Sequence, residues 1–323
     1  MTEPTINDIR AAAKRLDGKA RKTPLIESRL LNDRLGGRLL FKPEMLQNTG
    51  SFKFRGAYNF VSSLPHADKP TSIIAYSSGN HAQGVAAAAR AFNIPAMIIM
   101  PRDAPAIKIA NTRALGADIV FYDRQLESRE EIGEMMQAEL GATLIRPYDD
   151  AHIIAGQGTV GLEITEQTKA MNVSPDAVLC PCGGGGLISG TALALEAESP
   201  GTLIYAVEPE DFDDTARSLE AGKRLCNDNT AQSICDALLT PEPGEMTFAI
   251  NKRLLSGSLR VPDDAVRAAM ATAFNDLKVV AEPGGAVGLA AVLSGAYDVR
   301  DKTVVIVMSG GNVDKEVFRE VLA

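Results

Sequence analysis

The feature that most constrains the fold is a repeated alternation of short apolar strands with helices, which begins near residue 72. The predicted strands are 72–76, 96–100, 118–122 and 143–145, and the predicted helices are 80–92, 106–115 and 126–140. Short apolar strands separated by helices indicate a parallel sheet that is covered by helices on both of its faces. Residues 72–145 therefore predict one complete α/β unit.

The same alternation continues after a break at residues 147–150. The later predicted strands are 177–180, 203–207 and 303–307, and an acidic, proline-rich stretch from residue 208 to about 262 is predicted to be irregular. We predict an α/β fold of two doubly wound lobes of mainly parallel sheet covered by helices. Residues 1–66 and 150–323 would form the large domain, residues 67–149 would form the small domain that closes over substrate, and the cleft between them would hold the ligand.

Composition narrows the class of protein. The chain has 323 residues and a net charge of -8 without a basic stripe, which argues against nucleic acid as a partner. It has no run near the roughly 18 apolar residues that a membrane helix needs, and its first residues do not resemble a secretory signal. Four cysteines are too few for a disulfide scaffold of this size. We therefore predict a cytoplasmic protein that acts on a small molecule.

Lys53 is the candidate reactive group. It follows the turn Asn48-Thr49-Gly50, lies just inside a predicted helix start and has the aromatic neighbours Phe52 and Phe54. A lysine amine in an apolar, partly dry pocket has a lowered pKa and can be an unprotonated nucleophile near neutral pH. An ordinary solvated lysine is the alternative, and the other motifs of the chain weigh against it.

A run of glycines lies between a predicted strand and a predicted helix. Its members are Gly183, Gly184, Gly185 and Gly186. Backbone without side chains lets several N–H groups converge on an anion, and the helix dipole adds to the attraction. A dinucleotide site is the competing interpretation, with Glu208 as its ribose-binding acid, but the G-x-G-x-x-G spacing fails. The run therefore predicts a phosphate site.

Two further polar turns follow predicted strands. Ser77, Ser78, Gly79, Asn80 and His81 form the first turn, where free N–H groups at a helix start suit a carboxylate. The second turn, 309–312, begins with Ser309 after the last strand. Because parallel strands end at the same sheet edge, we expect both turns to open onto one crevice.

Together these motifs resemble the fold type II pyridoxal-phosphate enzymes, which have the fold of the tryptophan synthase β subunit. Serine and threonine dehydratases, serine racemase and 3-hydroxyaspartate dehydratases are the most similar members. The matching segments are 51–56, 77–81, 155–159, 183–186, 282–283 and 309–314. They follow the family's order along most of the chain, so the resemblance predicts both the fold and the cofactor, pyridoxal 5'-phosphate.

The resemblance also implies a role for each matching residue. Lys53 would form the Schiff base with the cofactor and act as the base at the substrate Cα, and Ser78 would be a second acid/base on the opposite face. Asn80 would bind the ring hydroxyl oxygen, Ser309 would face the pyridine nitrogen, and Glu282 would also contact the cofactor. Gly183 to Gly186 would bind its phosphate, and the turn from Ser77 to His81 would bind substrate.

An acidic segment follows Glu208, and such runs usually form solvated loops. In the serine racemase-like subgroup, the positions that match Glu208, the Phe212 carbonyl and Asp214 hold a divalent cation. Oxygen-only ligands suit Mg²⁺, Mn²⁺ or Ca²⁺. The resemblance therefore predicts a cation at these three residues.

The resemblance implies a β-hydroxy-amino-acid dehydratase, an ammonia-lyase that releases a 2-oxo acid, and a homodimer. We favour 3-hydroxyaspartate as substrate because Arg129 matches an arginine that reaches the far carboxylate of dicarboxylic ligands in relatives. Arg129 could instead be an ordinary surface helix residue. L-Serine or L-threonine dehydration and serine racemisation are the alternatives, and a non-catalytic imine-binding scaffold is the alternative from another class.

Overall fold

The computed structural model describes residues 2–65, 70–77, 79–104, 106–123, 126–228, 230 and 232–323. The strands are β1 (Arg38–Pro43), β2 (Ile73–Tyr76), β3 (Ala96–Pro101), β4 (Asp118–Tyr122), β5 (Thr143–Leu144), β6 (Ala177–Pro181), β7 (Leu203–Pro209), β8 (Gly257–Val261) and β9 (Thr303–Met308). They form a five-stranded sheet in the order β1-β9-β6-β7-β8 and a four-stranded sheet in the order β4-β3-β2-β5. Every strand pair is parallel.

Helices surround both sheets. They are α1 (Ile6–Leu16), α2 (Arg29–Leu35), α3 (Lys53–Ser63), α4 (Asn80–Ala91), α5 (Ala106–Ala114), α6 (Arg129–Leu140), α7 (Ala151–Ala170), α8 (Gly186–Glu198), α9 (Asp214–Ala221), α10 (Glu245–Leu254), α11 (Asp263–Thr272), α12 (Pro283–Leu293) and α13 (Lys315–Leu322). Short 3₁₀ turns occur at Glu44–Leu46, Asn48–Gly50, Glu210–Phe212 and Asp236–Leu238, and a π-helical turn occurs at Ala273–Leu277.

The larger sheet is buried on both faces. Leu39 and Phe41 of β1 pack in the core cluster that contains α11 and α12. Leu40, which lies between them, packs in the cluster that contains residues of α7 and α8. Because side chains alternate between the two faces of a strand, β1, β6, β7 and β9 each contribute apolar side chains to two cores, whereas the edge strand β8 contributes to one.

The smaller sheet has the same layered construction. Ile73 and Ala75 of β2 pack with residues of α3 and α4, whereas Ile74 packs with Met136 of α6 on the other face. The predicted α/β fold of two parallel-sheet lobes is therefore confirmed. The domain boundaries at residues 67 and 149 stay a prediction, and the first of them lies among residues 66–69, outside the described part of the chain.

The prediction of an irregular region between residues 208 and 262 is wrong. That region contains α9, α10 and strand β8, which pairs with β7. The start of α10 is capped by a distant side chain, since Asp149 accepts hydrogen bonds from the N–H groups of Glu245, Met246 and Thr247 at 3.0–3.1 Å. A cap from almost a hundred residues away leaves no local pattern in the sequence.

The predicted helix 126–140 also begins later than expected. Helix α6 starts at Arg129, and Ser128 caps it by accepting a hydrogen bond from the Glu131 N–H at 3.2 Å. A serine at the N-cap fixes the helix start more strongly than the apolar Leu126 before it. Among the described residues, no helix is long and apolar enough to cross a membrane.

Candidate active site

The two sheets direct their carboxyl ends toward a common cavity of about 710 Å³. The segment that contains Ser309 follows β9, Gly183 follows β6, Ser77 follows β2 and Pro147 follows β5, and all four residues line this cavity. A more open depression of about 830 Å³ lies beside Asp213. Among the described residues, none of the predicted cofactor or substrate residues lines this depression, whereas all of those that the structure describes line the first cavity.

Lys53 is the first residue of α3 and lies at the cavity wall. Its Nζ donates a hydrogen bond to the Pro147 carbonyl oxygen at 2.6 Å. Burial lowers the pKa of Lys53 to about 8. Gly84 of α4 makes this position possible, because a Cβ there would lie 3.0 Å from the Lys53 carbonyl carbon. Near neutral pH a fraction of the amine is therefore unprotonated, as a nucleophile requires.

The glycine run forms the turn between β6 and α8. Gly185 is the N-cap of α8 in a left-handed conformation with φ of 91°, and no side chain of the described residues caps this helix start. A Cβ on Gly184 would overlap the ring of Tyr148, and a Cβ on Gly186 would lie 2.6 Å from Gln157 Oε1. Only glycine fits here, and the uncapped N–H groups at the helix start suit an anion.

The turn that follows β2 also lines the cavity. Helix α4 begins at Asn80 with Gly79 as its N-cap, and Ser77 Oγ accepts a hydrogen bond from the Gly79 N–H at 3.1 Å. Ser77, Gly79 and Asn80 all lie at the cavity surface. Ser78, the predicted second acid/base, lies outside the described residues.

His81 lines the cavity but is held by the backbone. Its Nε2 lies 2.9 Å from the carbonyl oxygen of Ile145, which can only accept, so this nitrogen carries the proton. Burial and the nearby charge of Lys53 lower the pKa of His81 to about 3. His81 is therefore neutral at physiological pH and positions the start of α4.

Asn80 and Glu282 meet inside the cavity from opposite lobes. Asn80 Nδ2 donates a hydrogen bond to Glu282 Oε1 at 2.6 Å. Burial, together with the nearby carboxylate of Asp236, raises the pKa of Glu282 to about 8.

Ser309 is 3% exposed, and its carbonyl oxygen accepts a hydrogen bond from the Phe52 N–H at 3.1 Å, which ties the end of β9 to the lysine segment.

Arg129 lines the same cavity from helix α6, which packs on the four-stranded sheet. It is the first residue of α6, and its guanidinium carbon lies 5.3 Å from the centroid of the Tyr76 ring. Tyr76 ends β2 directly before the Ser77 turn, and both residues line the cavity. Arg129 is half-buried at this position. Its contact with substrate stays a prediction.

The three predicted metal ligands lie together at the end of β7. Glu208 accepts hydrogen bonds from the N–H groups of Thr215 and Ala216, both at 2.9 Å, so its carboxylate caps α9. Asp214 is buried, and its Oδ2 has no hydrogen-bond partner among the described residues. Burial raises the pKa of both groups, to about 8 for Glu208 and about 7 for Asp214.

Phe212 lies in the 3₁₀ turn between these two acids and is 8% exposed. Within the described residues, no cluster of three or more acidic, histidine or cysteine side chains has the arrangement of a metal site. Any cation here would therefore need backbone or water oxygens besides the two carboxylates. The predicted cation stays a prediction.

The sequence alone did not single out several residues of the cavity. Tyr148 covers Gly184, and burial raises its pKa to about 12. Lys108 of α5 forms an ion pair with Asp236 that joins the two lobes at the cavity. Tyr148 occurs in a segment whose sequence indicates only a turn. Lys108 is a single lysine in a helix, and its neighbours in the sequence indicate no function for it. No local pattern could have revealed either role.

Comparisons with known proteins agree with this geometry. A family profile described as "Pyridoxal-phosphate dependent enzyme" matches residues 16–310. The L-threo-3-hydroxyaspartate ammonia-lyase of Saccharomyces cerevisiae is 43% identical over 323 residues, which cover 100% of this chain and 98% of that protein. The structure of a threonine deaminase from T.th. has a TM-score of 0.91 and 45% identity over 96% of this chain and 99% of that one. A maize serine racemase structure has a TM-score of 0.93 and 38% identity, and the match covers 99% of this chain and 97% of that one.

The residues of the cavity fit this cofactor. The cradle at Gly184 and Gly186 has no room for a Cβ, and no described side chain caps the helix start, whose first N–H groups have no partner within the helix and can bind a phosphate. The amine of Lys53 has a lowered pKa at the cavity wall, as a Schiff base requires. The predicted family and the predicted dependence on pyridoxal phosphate are both confirmed by the profile match. This chain belongs to the family of pyridoxal-phosphate dependent enzymes.

Proposed function

We propose that this protein is a β-hydroxy-amino-acid ammonia-lyase that acts on 3-hydroxyaspartate. The choice of substrate rests on the position of Arg129, which lines the cavity with its guanidinium over the ring of Tyr76. A dicarboxylic substrate needs a second cation near its far carboxylate, because an unpaired buried charge is costly. The ammonia-lyase of yeast that is 43% identical agrees with this proposal.

The chain supplies groups for each part of such a substrate. The N–H groups at the start of α4 and the hydroxyl of Ser77 would bind the α-carboxylate. Arg129 would bind the distal carboxylate through its planar guanidinium, which matches the geometry of a carboxylate. The substrate would then span the cavity from the turn after β2 to the start of α6.

Bound pyridoxal phosphate supplies an electron sink for the bonds at the substrate Cα. The unprotonated Nζ of Lys53 would take the Cα proton, and its lowered pKa of about 8 suits a base near neutral pH. Asn80 would donate a hydrogen bond to the cofactor ring oxygen, and Ser309 would lie at the pyridine nitrogen. The net reaction removes ammonia from the hydroxy amino acid and yields a 2-oxo acid.

A divalent cation at Glu208 and Asp214 is part of the same proposal. Asp214 Oδ2 is buried and has no hydrogen-bond partner in the described part of the chain. Glu208 lies near enough for the charge of Asp214 to raise the pKa of Glu208. Two neighbouring buried carboxylates favour a bound cation, which would remove their mutual repulsion. The cation would hold the end of β7 and the start of α9 in place.

L-Serine or L-threonine dehydration is the second candidate, and the likeness to a threonine deaminase structure favours it. Serine racemisation would need an acid/base on the second face, which is the predicted role of Ser78. A homodimer and a cytoplasmic location stay predictions, the first from the family resemblance and the second from composition.

A steady-state panel of hydroxy amino acids, scored for ammonia and 2-oxo acid, tests the proposal. Arg129→Ala should lower kcat/KM for 3-hydroxyaspartate by about 10–100-fold, the effect of losing a charge-assisted contact. Turnover of serine should fall much less. Arg113→Ala is the matched control, because Arg113 also lies over an aromatic ring, that of Phe121, but does not line the cavity.

Three results would contradict this assignment. Equal losses for hydroxyaspartate and serine in Arg129→Ala would remove the specific role of Arg129. Faster wild-type turnover of threonine than of 3-hydroxyaspartate would leave a serine/threonine dehydratase. Absence of turnover with any candidate, in a protein that retains bound cofactor, would favour the imine-binding scaffold.

A further inference from the structure

Asn312 occupies the polar turn after β9 and has no role in the function described above. It lines the cavity beside Asn80 and Glu282. Its Nδ2 donates to the carbonyl oxygen of Thr49 at 2.8 Å and to Asn80 Oδ1 at 2.7 Å. One amide group therefore connects the turn that precedes Lys53 with the first residue of α4.

These contacts form a chain of hydrogen bonds with a fixed direction. A backbone carbonyl can only accept, so the Thr49 oxygen requires that Asn312 present its NH₂ group. The same NH₂ group then requires that Asn80 present Oδ1 to Asn312. The Asn80 Nδ2 must consequently point the other way, where it donates to Glu282 Oε1 at 2.6 Å. Because the first acceptor is backbone, a change of protonation at Glu282 does not reverse this direction.

The turn before Lys53 is shaped to receive Asn312. Gly50 has φ of 73°, and a Cβ there would lie 2.5 Å from Asn312 Oδ1. Thr49 is also in the left-handed region, with φ of 62°, which is uncommon for a residue with a side chain. Such a conformation persists where surrounding contacts determine it, and the hydrogen bond from Asn312 to the Thr49 carbonyl is one of these.

We propose that Asn312 is a positioning residue that fixes the amide orientation of Asn80. Asn80 Oδ1 is held toward Asn312, so its NH₂ group faces Glu282 and the cavity. One of its two hydrogens bonds Glu282, and no described residue accepts the other, which can meet an acceptor in the cavity. The inference rests on the family's cofactor and on the predicted contact of Asn80 with the ring oxygen. Asn312 thereby ensures that this oxygen meets a donor and not an acceptor.

Asn312→Asp is the decisive variant, because it keeps the shape and replaces the donor by an acceptor. The carboxylate would repel both the Thr49 carbonyl and Asn80 Oδ1, so the Asn80 amide should rotate. We expect the dissociation constant of pyridoxal phosphate to rise about tenfold, as for one lost hydrogen bond. The visible band of the bound cofactor should also titrate at higher pH. Asn312→Ala, which removes the donor without adding repulsion, should shift both quantities in the same direction by less.

Asn59→Asp is the matched control for simple destabilisation. Asn59 is fully buried, donates from Nδ2 to the His152 carbonyl at 2.7 Å and does not line the cavity. It should leave the cofactor band and its titration unchanged. The proposal is overturned if Asn312→Asp and Asn312→Ala, folded by circular dichroism, titrate and bind cofactor as wild type does.

A crystal structure of the wild-type holoenzyme tests the geometry without any variant. Asn312 Nδ2 should lie within hydrogen-bond distance of both the Thr49 oxygen and Asn80 Oδ1. Separations beyond about 3.5 Å would overturn the proposal even if the variants fail to fold. Because the cofactor band and its dissociation constant are read without substrate, the outcome is independent of which hydroxy amino acid the enzyme uses.

Discussion

Replacement of Arg55 by methionine should disrupt a buried ion network beside Lys53. Arg55 lies two residues after Lys53 on α3 and is 1% exposed. Its guanidinium donates from Nε to Glu44 Oε2 at 2.8 Å and from Nη1 to Glu163 Oε1 at 2.6 Å. The ammonium group of Lys42 also contacts Glu163, at 2.6 Å. Two cations and two carboxylates therefore balance each other in a region that water scarcely reaches.

The expected loss of unfolding free energy follows from the carboxylate that remains buried without its cation. In the Arg55→Met variant, Glu44 is fully buried and has lost both of its hydrogen bonds to the guanidinium. Breaking a buried ion pair by removing one partner costs about 3–5 kcal/mol of unfolding free energy. Replacement of an exposed arginine should cost less than about 1 kcal/mol. Arg38→Met is that control, because Arg38 pairs with Glu27 at the surface.

The loss should depend on pH. Burial would raise the pKa of Glu44, but the charge of Arg55 and its hydrogen bonds lower the pKa below its ordinary value. Without Arg55, burial dominates and the folded-state pKa of Glu44 should exceed the unfolded value of about 4.3. Folding then favours the protonated form, so stability is present at low pH and is lost as pH rises through this window. The variant should be more destabilised at pH 8 than at pH 5.

Urea-induced unfolding at pH 5 and pH 8, followed by circular dichroism, measures both effects. The double variant Arg55→Met/Glu44→Gln removes the uncompensated charge and should recover about 1–3 kcal/mol at pH 8. A loss below about 1 kcal/mol in Arg55→Met would refute the reasoning. A double variant no more stable than the single one would show that the cost lies in packing and not in charge.

Three further predictions concern the site. Lys53→Ala should remove the visible absorbance band of the bound cofactor and leave less than about a hundredth of the wild-type ammonia release. Higher turnover would defeat the assignment of Lys53 as the base. Gly184→Ala should cost about 1–3 kcal/mol and weaken binding of pyridoxal phosphate, because a Cβ overlaps the Tyr148 ring; unchanged urea unfolding and cofactor titration would contradict this. Chelated protein should lose thermal stability as pH rises from about 5 to 8, because burial raises the folded-state pKa of Glu208 to about 8 and of Asp214 to about 7. Mg²⁺ at a hundred times its dissociation constant should restore about 2.7 kcal/mol, read as a rise in Tm, and no response to chelator or Mg²⁺ would remove the cation from the proposal.

Much of the fold was predictable because it depends on local patterns. The apolar residues 177–180 and the glycines after them predict a strand followed by the start of a helix, and the structure has β6 and the start of α8 there. Lys53 lies at a helix start as predicted. These features follow from side-chain periodicity and glycine conformation, which act over a few residues.

Other elements depended on partners that the sequence does not reveal. Helix α10 begins where Asp149 caps it, and the next element in the chain, β8, forms an edge strand beside β7. Both occur in a stretch whose acids and prolines predicted irregular chain. Tertiary hydrogen bonds outweighed weak local preferences there.

The sequence by itself determined the layered α/β fold, the family and the positions of the lysine, the glycine cradle and the polar turns. The tertiary structure decided how those groups work together. Asn312 contacts Asn80 across 232 residues of chain, and Glu282 contacts Asn80 across 202. The lowered pKa of Lys53 arises from burial, which exists only when the two sheets enclose one cavity. Local patterns specify backbone conformation, whereas hydrogen-bond direction and desolvation depend on segments that only folding brings together.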